Sequence, residues 1–283
     1  MKTYLIFFLS LFILVSCEDP IPSDYIPKNM VEATLIVDEP IKDIIIMKTQ
    51  PVSDSFVYSK SIIHDADVKI ISPTKTYQLV CDNERESGYY YPDTNELINP
   101  NTIYKLEIVL KDGTIITGET TTPDRISWIK PLPDTLYYPK DTINLTTPDS
   151  LKLEWEKVAG IDFYLVDVQC LDTLNYGIYL NPPTNEMNRR ITRPWNHDDQ
   201  FKETSTWSLL PSTKTPVVWL TFKWFGKHKV SVYAPDPNFT RWFLQNVVKG
   251  QYDPLLGSIK GAIGDFGSAS RVSKQFFLKK NRR

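Results

Sequence analysis

Few side chains in this 283-residue sequence are placed to carry chemistry. The three histidines, His64, His197 and His228, occur in no His-x-x-x-His or Glu-x-x-His spacing that would put two metal ligands on one helical face. His64-Asp65-Ala66-Asp67 and His197-Asp198-Asp199 could offer donors to a cation, but both lie in polar, turn-like contexts where solvated side chains are the default. No metal centre is predicted. There is no Gly-x-Ser-x-Gly elbow to expose a nucleophilic serine. The 34 acidic residues offer many carboxylate pairs for glycoside hydrolysis, and which of them approach one another is decided by the fold. Cys81 and Cys170 are far apart in sequence, so no disulfide is expected between them. Cys170 shares strand parity with Tyr164, Val166 and Val168 and reads as a small buried hydrophobe. The sequence names no catalytic residue, and neither an enzymatic activity nor a cofactor is expected.

Aromatic faces are the remaining chemical resource, because flat rings form the walls of sugar- and peptide-binding surfaces. Trp195, Trp207, Trp219 and Trp224 crowd the second half of the chain. If Val217 to Phe225 is a strand, Trp224 shares its face with Val218, Leu220 and Phe222 and belongs to the core. Trp219 then shares the other face with Val217, Thr221 and Lys223 and is the more exposed. Trp195 and Trp207 fall in a polar, irregular stretch from Asn181 to Thr206 or at its edge. Trp195, Trp207 and Trp219 are therefore the candidate ligand-binding residues, for a glycan or a peptide.

The third cysteine, Cys17, stands behind Lys2 and an apolar run from Tyr4 to Leu14. That run is about a dozen residues long, which suits a secretory leader and is too short to span a bilayer. Leu14-Val15-Ser16-Cys17 resembles the lipobox of bacterial lipoproteins. The resemblance implies cleavage after Ser16, a diacylglycerol thioether on the Cys17 sulfur and acylation of the new N-terminus, hence a lipid anchor in a membrane. Residues 17–30 carry Pro20, Pro22 and Pro27 and read as an extended tether. Glu18 and Asp19 resemble the acidic export signals of surface-exposed Bacteroidota lipoproteins, and read equally as the start of a solvated linker. Exposure at the cell surface or on the periplasmic face are both open. Asp134-Thr135-Leu136, Asp141-Thr142-Ile143, Asp149-Ser150-Leu151 and Asp172-Thr173-Leu174 are similar to the O-glycosylation sites of exported Bacteroidota proteins.

The elements that position these residues are predicted to be strands. A formal charge of −2 gives no electrostatic footprint for nucleic acid, and 21 prolines with only 11 glycines suit short strands punctuated by turns. Val31, Ala33, Leu35 and Val37 form one apolar face at period two. Further strands are expected at 44–48, 67–71, 76–81 and 102–110. Lys111-Asp112-Gly113-Thr114 is a turn signal between two alternating runs, so Tyr104 to Leu110 and Ile115 to Thr121 read as a hairpin. In the second half, Leu151, Leu153 and Trp155 alternate inward, Ala159-Gly160 turns the chain, and Tyr164, Val166 and Val168 return on a facing strand. Lys229 to Tyr233 is another strand. One helix is predicted near 238–249, with Asn238 as N-cap and an aromatic stripe of Phe239, Trp242, Phe243 and Val247. That stripe either packs on the second sandwich or meets a partner. The glycines from Gly257 to Gly267 lack the strand-turn-helix context of a phosphate cradle and are read as bulges or close backbone approaches in a last strand.

The fold class is thus all-β: two antiparallel β-sandwich domains and one short helix, with residues 1–16 as leader, 17–30 as tether, and domains at 31–123 and 124–283. Leu153 to Val168 resembles strands B and C of fibronectin type III, and the first domain is read as immunoglobulin-like. The lipobox, the strand Glu32 to Val37, the hairpin ending in Thr121-Thr122-Pro123, the Trp155 to Val168 pair and the close Ile259 to Ser270 together resemble a domain-of-unknown-function family of Bacteroidota outer-membrane lipoproteins. Members of that family are often encoded beside TonB-dependent receptors. The resemblance implies a non-enzymatic accessory or ligand-capture role at such a receptor, with no catalytic residue carried over. A stand-alone glycan- or peptide-binding adhesin is the alternative.

Overall fold

The computed structural model describes residues 25–51, 54–81, 88–139, 151–191, 205–248, 253 and 256–280. Seventeen strands are described. The first eight are β1 (Asn29–Ile36), β2 (Ile45–Lys48), β3 (Asp67–Ile71), β4 (Thr76–Gln78), β5 (Val80–Cys81), β6 (Tyr89–Tyr90), β7 (Ile103–Val109) and β8 (Ile115–Thr121). They are followed by β9 (Trp128–Lys130), β10 (Thr135–Tyr137), β11 (Lys152–Trp155), β12 (Tyr164–Cys170), β13 (Ser205–Leu210), β14 (Lys214–Pro216), β15 (Gly226–Pro235), β16 (Ile259–Lys260) and β17 (Ile263–Lys279). A single helical turn, α1 (Tyr58–Ser61), one short helix, α2 (Pro237–Phe243), which runs on into a π-helical turn at Leu244–Val248, and 3₁₀ turns at Gly177–Tyr179 and Trp219–Thr221 complete the regular structure among the described residues.

A large sheet in the order β13-β12-β15-β17-β1-β2 organises the molecule. β17 is its spine. At 17 residues, well above the usual strand length of 3–10, it pairs antiparallel with β15 along one side. Along its other side it pairs parallel first with β1 and then, further on, with β10. Its residues alternate in role at period two. Phe266, Phe276 and Leu278 enter the interior, whereas Asp265, Ala269 and Arg271 lie on the opposite face, which also carries α2.

The interior face of this sheet covers two hydrophobic cores. The first is closed by the sheet β16-β8-β7-β3-β4 and contains Val31, Leu35, Ile46, Ile70, Leu106 and Phe266. The second is closed by β14-β11-β9 and contains Trp155, Tyr164, Val166, Val232 and Phe276. Trp155, fully buried, meets the Tyr164 ring edge-on at 5.6 Å, and Tyr164 hydroxyl accepts from the Val158 amide at 2.9 Å. β11 and β12 therefore face each other across a sandwich rather than pairing within one sheet. The architecture is all-β and sandwich-like. The sequence division at 123/124 assigns the whole C-terminal part to one unit, whereas the hydrogen bonding puts β16 on β8 and the start of β17 on β1, with Ile259 and Phe266 in the first core.

The β7–β8 hairpin turns where Asp112-Gly113 stands: Gly113 adopts φ +84° and Leu110 donates to Thr114 at 2.9 Å. Gly264 has a harder constraint. Its φ is +117°, and a Cβ there would meet the Val31 carbonyl oxygen at 1.9 Å, within the parallel ladder. Gly264→Ala is expected to destabilise the protein by about 3 kcal/mol or more, because the β1–β17 pair must separate to admit the methyl group. Gly113→Ala, where no atom lies within 4 Å, isolates the conformational cost alone, about 1 kcal/mol. Chemical denaturation of the two variants checks this, and equal losses would contradict the close-approach explanation.

Candidate functional site

On the outer face of the large sheet, α2 and the loop 37–44 stand on either side of β1 and enclose an open cleft of about 400 Å³. The alternation that sends Val31, Ala33 and Leu35 into the first core turns Glu32, Thr34 and Ile36 up into the cleft floor. Ile45 of β2 extends that floor.

The helix wall is fixed by one carboxylate. Pro237 occupies the first helical turn, and Asp236, not the predicted Asn238, is the N-cap. Asp236 Oδ1 accepts from the Phe239 amide at 2.8 Å and the Ser268 amide at 3.1 Å, and its Oδ2 accepts from the Thr120 hydroxyl at 2.6 Å. The Asn238 side chain instead donates through Nδ2 to the carbonyls of Glu119 at 2.8 Å and Phe266 at 3.0 Å. Helix, β8 and β17 are thereby pinned together, and the stripe of Phe239, Trp242 and Phe243 packs onto the sheet beside Leu165 and Ala269.

The rest of the lining is aromatic and charged. Trp207 on β13 lies 5.4 Å from the Tyr233 ring and 6.3 Å from Phe243, yet remains 41% exposed. The Arg271 guanidinium sits over the Tyr233 ring at 5.7 Å and is ion-paired with Glu39. Glu39 also pairs with Lys42 at 3.5 Å. The loop that carries Glu39 and Lys42 is held at both ends, since Val37 donates to Ala269, and Ile44 and Tyr89 exchange backbone hydrogen bonds.

Below the helix, Asp265 pairs in register with Glu32 and accepts from the Ser258 hydroxyl at 2.7 Å. Burial pushes its carboxyl up to about 7, and the neighbouring acids Asp236 and Glu32 add to the effect. Burial raises Glu32 and Asp236 as well.

The sequence candidates fare differently. Trp207 lines the cleft. Trp219 does not: it is 3% exposed and packs against Tyr138 and Phe222 in the second core. The expected strand Val217 to Phe225 is broken by a 3₁₀ turn at Trp219–Thr221, so alternation no longer decides which way the side chain points. Trp224, expected in the core, is half-buried with Arg190 near its ring. Trp195, His197, Cys17 and the Asp141 and Asp149 triplets lie outside the described residues. Among the described residues, no three His, Cys, Asp or Glu side chains are gathered to hold a metal ion. His228 is a core aromatic, stacked on Phe276 at 5.5 Å and pushed down to about 4 by burial. The sequence reading missed Trp242 as a cleft residue and missed Glu32, Glu39, Tyr233, Asp265 and Arg271 altogether. The polar residue at an outward position of β1, Glu32, was the available signal.

Together these features describe an all-β sandwich protein with a helix-walled aromatic cleft. The chain belongs to the family described as Domain of unknown function (DUF4249), whose model matches residues 18–275. No curated protein matches the chain.

The buried carboxyl makes stability depend on pH. Because the folded-state pKa of Asp265 lies above its unfolded value, the folded state holds the proton more tightly. The contribution is fully present below about pH 4 and is lost as pH rises through about 7, a change on the order of 4 kcal/mol. Asp265→Asn is expected to remove this slope, so that its melting temperature gains on the wild type steadily between pH 4 and 8. Parallel melting curves for the two proteins across that range would show that Asp265 does not titrate there.

Proposed function

We propose that this protein is a lipid-anchored outer-membrane lipoprotein that captures a ligand in the β1–α2 cleft and presents it to a TonB-dependent receptor, without chemical change to the ligand. The observation that carries the reading is the position of the cleft: its floor is β1, the first strand after the segment that resembles a lipoprotein tether. Residues 18–28 would reach roughly 35 Å as extended chain, long enough to hold the cleft clear of lipid headgroups and short enough to keep it near a receptor in the same membrane. The Leu14-Val15-Ser16-Cys17 lipobox supports the anchor in this reading. Two lipid groups on Cys17 give lasting attachment, whereas a single acyl chain gives only marginal binding, with an association constant of about 10⁴ M⁻¹. Among the described residues, no helix is long and apolar enough to cross a membrane.

Cys17→Ser is expected to move the protein from the membrane pellet to the soluble fraction and to abolish palmitate incorporation. Mild detergent extraction of the tagged wild type is expected to bring down a TonB-dependent receptor. A variant that stays in the pellet would overturn the anchor. A wild type that is lipidated but never accompanied by a receptor would leave the stand-alone adhesin as the reading to pursue. Proteolytic shaving of intact cells separates surface display from the periplasmic face.

A further inference from the structure

We infer that the cleft is a saccharide-binding site for a neutral oligosaccharide, with Trp207 and Trp242 as stacking platforms and Arg271, Glu32 and Asp43 as partners for hydroxyl groups. This inference rests on the ligand-capture reading above and narrows it to one chemical class.

Three observations on the cleft favour a sugar. First, its aromatic rings are not consumed by packing. Trp207 keeps 41% of its surface open although one side is occupied by Tyr233 and Phe243, and Trp242 is half-buried beside Phe239 at 6.3 Å between ring centres. A pyranose ring offers apolar C–H faces that cover such surfaces while its hydroxyls stay at the edge. Second, the cleft carries both signs of charge on groups held in place. Arg271 is fixed by Glu39 and by the Tyr233 ring, Lys42 is paired with Glu39, and Glu32 and Asp43 lie on the floor and rim. Hydroxyl groups donate and accept, so they are served by guanidinium and carboxylate together, whereas a strongly cationic or anionic ligand would meet a like charge.

Third, the floor strand is not available to an extended peptide. β1 is bonded to β17 from Met30 to Ile36 and to β2 from Asn29 to Glu32, so the edge left outside both ladders is only Ala33–Ile36, where the Ile36 carbonyl already accepts from the Glu39 amide at 3.1 Å, too short a row for strand addition. A peptide would enter with most of its own amides unsatisfied, at a cost of about a hydrogen bond each. A volume of about 400 Å³ falls within the range of small-ligand pockets, roughly 300–1,000 Å³. The cleft is open along the sheet rather than enclosed, which suits a few rings of a longer chain.

The test uses the purified full mature chain and isothermal titration against maltohexaose, cellohexaose, laminarihexaose, xylohexaose and mannohexaose, with intrinsic tryptophan fluorescence in parallel. At least one oligosaccharide is expected to bind and to perturb the fluorescence. Trp207→Ala and Trp242→Ala are each expected to weaken it about tenfold or more, with Trp207→Phe keeping most of the affinity. Tyr137→Ala, which removes an exposed ring outside the cleft, is expected to leave it unchanged. Circular dichroism melts of each variant identify any loss that comes from unfolding. The comparison arms are an alanine-rich hexapeptide and spermidine. If the sugars are silent while the peptide or spermidine binds and is lost in the same Trp variants, the saccharide assignment falls and ligand capture in the cleft stands. If a sugar binds but the Trp variants retain full affinity, the site assignment is overturned. If nothing binds and receptor copurification also fails, both readings fall.

Discussion

The parallel ladder between β1 and β17 is the interaction on which the rest of the structure depends. It joins the first described strand to the last, from Met30 opposite Ile263 to Ile36 opposite Ala269. Without it the first core would lose Phe266, its share of the large sheet and the strand that supports β2. The ladder requires that no side chain stand at Gly264, where the Val31 carbonyl comes closer than any methyl group could tolerate. Everything on the outer face follows from the alternation that this register sets: one set of residues goes to the two cores, and the other set furnishes the helix seat and the cleft.

Asp236 turns that face into a site. A buried carboxylate with no donors would cost several kcal/mol, and here two amides and a hydroxyl satisfy it. Those donors come from the helix it caps, from β8 and from β17, so the charge can be accommodated only when the helix is seated. The cleft wall is therefore set by hydrogen-bond satisfaction rather than by apolar packing alone. Asp265, on the neighbouring strand, is instead pushed up to about 7 by burial, with the nearby acids Asp236 and Glu32 adding to the effect.

The β1 strand, the β7–β8 hairpin with its Asp112-Gly113 turn, and the inward Leu153 and Trp155 could all be recognised from alternation, because each is a regular strand half-buried on one face. The same rule failed at Trp219, where a 3₁₀ turn replaces the strand and the ring turns into the core. At the helix, Pro237 was the signal for an N-cap two residues before Asn238, since proline favours the first helical position. The cleft was hardly legible. Glu32, Trp207, Trp242 and Asp265 come from four separate stretches: the parallel ladder joins Glu32 to Asp265, and the antiparallel pairings from β13 to β17 and the seat of α2 bring in the two tryptophans, a register no local pattern encodes. Trp207 could be singled out as a surface ring, but not what stands beside it.

The same ladder dictates a schedule for folding. A chain that emerges N-terminus first presents β1 more than two hundred residues before its partner exists, so the strand must wait for almost the whole polypeptide. Closing so long a loop is slow, and the exposed edge is vulnerable until it is paired. Truncating the last twenty residues would thus do more than shorten the protein: it would leave one edge of the first described strand permanently unpaired, and quality control would meet an aggregation-prone fragment rather than a smaller folded one.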